Sequence, residues 1–217
     1  MYNPYIECKD YTMWTTSNTD KEKQLVVIAA NTGGYFTAKQ ALDAGYNYRL
    51  QHYYRAKGYW DAVDRGIYHL PEYPSPERDD LVRWSLWSLN REGVPQAVVS
   101  YETALSVYEL SDIMPAKIHL TVPHKFRKDP SGACVLHRAA LDPDDIDKKE
   151  GYMITKPLKT LVDVSEGDLS LDYLEQAIRE AFRRGMAGPQ QLERAAMSEA
   201  AKEKIRIILE NIRKKPL

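Results

Sequence analysis

Residues 46–57, YNYRLQHYYRAK, place Asn47, Tyr48, Arg49, Gln51, His52, Arg55 and Lys57 within one short stretch. Asparagine and glutamine each offer a donor and an acceptor that match an adenine edge, and arginine reads guanine or grips a phosphate. Such a set on one helix suits a duplex in the major groove. Arg65, at the tip of the following VDRGIY turn, adds a cation for the backbone. A bland alternative stands beside this: a fold that contacts protein, with these polar residues simply solvated. The residue types favour DNA. A second basic stretch, HKFRKDPSG (124–132), sets Lys125, Arg127 and Lys128 around Phe126. It offers further backbone contacts, or is a solvated hairpin loop between two strands.

Catalytic chemistry has weaker support. His119, His124 and His137 fall near predicted strands with Cys134 close by, but their spacings match neither H-E-x-x-H nor a zinc finger. Glu102, Asp112 and Asp163 are carboxylates of the kind that serve phosphodiester hydrolysis, yet no motif gathers them. There is no P-loop, no G-x-S-x-G and no dinucleotide fingerprint. The expectation is a non-enzyme with no catalytic residue, no metal and no cofactor.

Charge limits what the basic residues can do. The 217 residues carry a net charge of -1, so no global field draws in nucleic acid or anionic lipid. Residues 20–70 hold seven Lys/Arg against five Asp/Glu, a net of +2, and Asp61 and Asp64 flank Arg65. Few cations mean weak non-specific binding, so a homodimer on DNA or help from the rest of the chain is expected. The only cysteines, Cys8 and Cys134, form no framework. The first twenty residues lack an apolar core for a signal peptide, and no apolar run approaches membrane-spanning length. A cytoplasmic location follows as the expectation, with no membrane partner.

Several elements must position these side chains. Thr19-Asp20 caps a helix whose stripe is Leu25, Val26, Ile28 and Ala29, ended by Gly33-Gly34. Thr37 caps a second, AKQALDAG, in which Ala41 permits close approach and Gly45 turns the chain. The third, YNYRLQHYYRAKG, stops at Gly58, with Tyr46, Leu50 and Tyr53 or Tyr54 inward. Strands follow at Trp60–Val63 and Ile67–Leu70. Three short helices and a hairpin are the order of a winged helix-turn-helix, the hairpin packing through Trp60, Ile67 and Tyr68. One position jars: six residues after Gly45 an apolar side chain is wanted, and Gln51 stands there.

Pro71, Pro74 and Pro76 mark an extended connector. The division read from the sequence is a flexible lead-in at 1–19, a winged helix-turn-helix at 20–70, a linker at 71–77 and a second domain at 78–217. The second domain shows helices at 78–93, 101–110, 156–166 and 171–185, strands at 116–123, 133–141 and 151–155, and a helical C-terminus. The fold class is α+β: a winged helix-turn-helix, then a mixed domain with a small sheet and several helices.

Three stretches in order carry a family resemblance: GGYFTAKQALDAGYNYRLQHYYRAKG with VDRGIYHLP, then VVSYETALSVYELSDIMPAKIHLTVP, then MITKPLKTLVDV. Together they span roughly residues 20–185, and the chain resembles the AbiEi-type antitoxins of abortive-infection, type IV toxin–antitoxin systems. The resemblance implies a transcriptional repressor whose winged helix binds double-stranded DNA at its own promoter. It implies a C-terminal antitoxin domain that counters a nucleotidyltransferase toxin without a stable complex. Gln51 and the acidic wing depart from the family's pattern. The alternatives are a metal-dependent nucleic-acid hydrolase with Glu102 and Asp163 as ligands, and a stand-alone regulator with no toxin partner.

Overall fold

A computed structural model describes residues 19–130 and 132–214; the expected lead-in lies outside them except for Thr19. The protein is α+β, with nine α-helices and eight strands among the described residues. It forms two compact units, one ending at Leu86 and the other beginning at Trp87.

The first unit runs α1 (Thr19–Ala30), β1 (Tyr35–Thr37), α2 (Ala38–Asp43), α3 (Tyr48–Ala56), β2 (Asp61–Asp64), β3 (Ile67–His69) and α4 (Asp79–Trp87), whose last residue falls in the second unit. Its three strands are antiparallel in the order β1-β3-β2. β1 is absent from the sequence reading, which ran the chain from the double glycine straight into a helix. Three residues are too few to show alternation, yet Tyr35 and Phe36 are both buried.

Thr37 ends β1 and caps α2 in a reciprocal capping box with Gln40. The core is mostly aromatic. Phe36 and Trp60 meet edge to face at 4.8 Å, Tyr46 lies 5.0 Å from Trp60, and Tyr68 lies 5.6 Å from it. The Phe36–Trp60 and Tyr46–Trp60 contacts place ring edges on ring faces, a favoured geometry for aromatic pairs. Leu25 and Ala29 complete the core from α1, while Val26, expected inward, is 39% exposed.

The unit boundary falls at Leu86, not at residues 71–77. That proline-rich stretch turns back on the first unit instead of leaving it. A Cβ on Gly34, at φ +90°, would meet Tyr73 Cβ at 2.5 Å, and Tyr35 donates its hydroxyl to Asp79 at 3.0 Å.

The second unit holds a five-stranded mixed sheet in the order β6-β5-β4-β8-β7. Its strands are β4 (Val98–Val99), β5 (Ile118–Val122), β6 (Cys134–Arg138), β7 (Ile146–Lys148) and β8 (Met153–Thr155). Five helices accompany them: α5 (Tyr101–Val107), α6 (Pro157–Glu166), α7 (Leu171–Arg183), α8 (Pro189–Arg194) and α9 (Glu199–Lys214). β7 was not anticipated, for its residues IDK carry no apolar pattern. β5 and β6 run parallel, so the 124–132 loop is a crossover and not the hairpin expected from sequence. Phe126 within that loop is buried and packs on Trp87 at 5.4 Å.

Candidate nucleic-acid interface

α3 begins where Asn47 caps it, the side-chain oxygen accepting from Leu50 N at 3.0 Å. Gly45, at φ +91°, makes the turn between α2 and α3. One face of α3 is locked inward. Tyr54 is buried in the aromatic core, and Gln51 is only 2% exposed. Gln51 Nε2 donates to Tyr46 O at 2.8 Å and to Ala38 O at 3.0 Å. Gln51 is therefore a brace between α3, the turn and the start of α2. The expectation that it reads DNA is corrected: an amide with both protons committed to the interior does not reach a base edge.

The opposite face is open. Tyr48, Arg49, His52, Tyr53, Arg55 and Lys57 are exposed, Tyr48 at 72%. The two cations at the end of the helix lean on rings: the Arg55 guanidinium lies 5.8 Å from the Tyr68 centroid and Lys57 Nζ 6.0 Å from that of Tyr53. Asn47 is exposed, but its oxygen is spent on the cap. Arg65 is exposed at the β2–β3 tip, where its amide donates to Asp64 Oδ1 at 2.6 Å.

In the other basic stretch, Lys125 and Arg127 are exposed, whereas Lys128 Nζ donates to Trp87 O at 2.7 Å and Leu89 O at 2.8 Å. Burial holds the Lys128 ammonium below its ordinary pKa. Lys128 is exposed yet ties the loop to the chain after α4, with two of its three protons donated to those carbonyls.

The carboxylates and histidines of the second unit divide differently from the sequence reading. Asp112 is engaged by Gln176, whose Nε2 donates to its Oδ2 at 2.7 Å. Asp163 is buried beside Lys159, and its Oδ2 has no hydrogen-bond partner among the described residues. Burial, outweighing Lys159, raises its carboxyl above the usual range. His124 is exposed and Cys134 buried, its thiol pushed up to about 11 by burial.

Glu102, His119 and His137 meet. His119 Nδ1 lies 2.7 Å from Glu102 Oε2 and 3.1 Å from His137 Nε2. The sheet explains this: β5 pairs in parallel with β6, His119 opposite Val135 and Thr121 opposite His137. The two imidazoles are thus diagonal neighbours on one face. Sequence reasoning missed the cluster because the signal is a strand register, not a spacing. Among the described residues no group of three His, Cys, Asp or Glu is arranged to hold a metal ion.

Among the described residues, no helix is long and apolar enough to cross a membrane. The chain matches no family model and no curated protein. In fold it is similar to the crystal structure of the RV2827C protein from Mycobacterium tuberculosis, at 14% identity and a TM-score of 0.55, over 88% of this chain and 76% of that one.

Proposed function

We propose that the protein is a DNA-binding transcriptional regulator, its first unit a winged helix-turn-helix with α3 as recognition helix and the β2–β3 hairpin as wing. The observation that carries this is the division of α3 into two faces. Gln51 and Tyr54 anchor the helix inward, while Tyr48, Arg49 and His52 stand exposed on its first turns, where groove contact is made. Arg65 at the hairpin tip supplies a phosphate contact beside it. We further propose, on the resemblance described above, that this regulator is the antitoxin of a type IV system, repressing its own promoter and opposing a nucleotidyltransferase toxin.

The test is fluorescence anisotropy of the purified protein on its own upstream DNA and on a scrambled duplex, at two salt concentrations. Preferential binding that weakens with salt supports the reading. Arg49→Ala then weakens the specific complex by about 1–3 kcal/mol if Arg49 reads a base. Equal, weak binding to both duplexes refutes it. The antitoxin role needs a second assay: co-expression with a growth-arresting nucleotidyltransferase toxin must restore growth.

A further inference from the structure

The β4–α5 corner of the second unit concentrates features that a purely structural role leaves unexplained. Tyr101, the first residue of α5, sits at φ +52°, a left-handed conformation that bulky side chains rarely adopt. Its ring stacks on His137 with centroids 3.6 Å apart and lies 6.3 Å from His119. Glu102 Oε2 is buried and lies 2.7 Å from His119 Nδ1. The same nitrogen lies 3.1 Å from His137 Nε2.

Two backbone bonds make this a built arrangement. The His119 backbone is pinned by its amide, which donates to Thr103 Oγ1 at 2.8 Å, and by its carbonyl, which accepts from Ser100 N at 3.1 Å. The carboxylate beside Nδ1 favours the proton there, so Nε2 keeps its lone pair. Nε2 makes no hydrogen bond among the described residues, and the side chain is 18% exposed. A carboxylate on one imidazole nitrogen and a free lone pair on the other is the arrangement by which histidine takes a proton from a hydroxyl. Burial and the neighbouring carboxylates Asp163, Glu102 and Glu166 hold the Tyr101 phenol above its ordinary pKa, so it remains a donor.

We propose that His119, positioned by Glu102, is a catalytic base that activates water toward a neutral carbonyl ester, with Tyr101 as hydrogen-bond donor. His119 Nε2 takes a proton from water as the water oxygen bonds to the acyl carbon and the carbonyl π pair moves onto oxygen, where Tyr101 donates a hydrogen bond. That pair then re-forms the C=O as the bond to the leaving oxygen breaks, and the imidazolium gives its proton to the leaving oxygen, leaving a carboxylic acid and an alcohol. An anionic substrate is disfavoured because the charges of Glu102, Asp163 and Glu166 all act on Tyr101, and the cation Lys159 is paired with Asp163. This inference is independent of DNA binding.

The experiment uses the full chain with p-nitrophenyl acetate, and p-nitrophenyl phosphate as the anionic comparison. Wild type and the His124→Ala control should hydrolyse the acetate equally. His119→Ala should lower kcat at least about 100-fold and regain activity with added imidazole. Glu102→Gln should lower kcat about tenfold or more with KM unchanged. Circular dichroism checks that each variant folds. A wild-type rate no greater than that of His119→Ala, a full rate in Glu102→Gln, or loss in His119→Ala that imidazole fails to rescue overturns the assignment. Preference for the phosphate overturns the substrate class.

Discussion

Gln51→Leu separates bracing from reading. The substitution keeps the side chain's bulk and removes its two donated bonds, to Tyr46 O at 2.8 Å and Ala38 O at 3.0 Å. Each neutral bond is worth about 1 kcal/mol net, and a buried carbonyl left without a partner costs about 1–3 kcal/mol. The Tyr46 residue is 1% exposed, so water does not readily replace the lost donor. Against this, Gln51 Oε1 already lacks a partner, and deleting it returns about 1 kcal/mol. The net is a destabilisation of about 2 kcal/mol, or about 10 °C in Tm for a unit of this size. Urea unfolding followed by circular dichroism measures it. Operator affinity, taken well below the melting transition, should stay within about twofold of wild type. Unchanged stability with lost affinity would refute the brace and return Gln51 to the DNA.

Three further expectations follow from the geometry. Gly34→Ala places a Cβ 2.5 Å from Tyr73 at φ +90°, and should destabilise the first unit by about 2 kcal/mol, read by the same urea titration. The His137 imidazole is lowered from 6.5 to about 4, first by burial and then by the charge of His119, so its stabilising effect is complete above pH 6.5 and fades as pH falls toward 4. The decline totals at most about 3 kcal/mol, and His137→Gln should flatten that part of the stability profile. Cys134, buried and with its thiol pushed up to about 11, should resist iodoacetamide at neutral pH until the protein unfolds, as peptide mapping would show.

The parts of the fold visible in the sequence are those set by local chemistry. Thr37 with Gln40, Asn47, Gly45 and Gly58 punctuate α2 and α3, and each acts within a few residues of itself. The aromatic core was partly legible because Tyr46, Trp60 and Tyr68 fall at helical and strand positions. What escaped depends on distant partners. β1 and β7 are three residues each and exist because β3 and β8 supply their hydrogen bonds. Gln51 looked like a reading residue because an amide serves both roles, and only burial distinguishes them. Glu102, His119 and His137 are separated by 17 and 18 positions; the β5–β6 register joins the two histidines, and α5 brings Glu102 to them.

Thr37 is at once the last residue of β1 and the cap of α2, and β1 pairs with β3 of the hairpin. Ala38 N also donates to Gly66 O at 2.8 Å, at the hairpin turn. Hairpin tip and helix pair therefore share a joint with no slack, like the jaws of a fixed gauge. A duplex gripped by Arg65 and α3 together would have to present its phosphate and its base edges at one set separation. Inserting a single base pair between the two points of contact should forfeit one grip outright, where a jointed reader would accommodate the change.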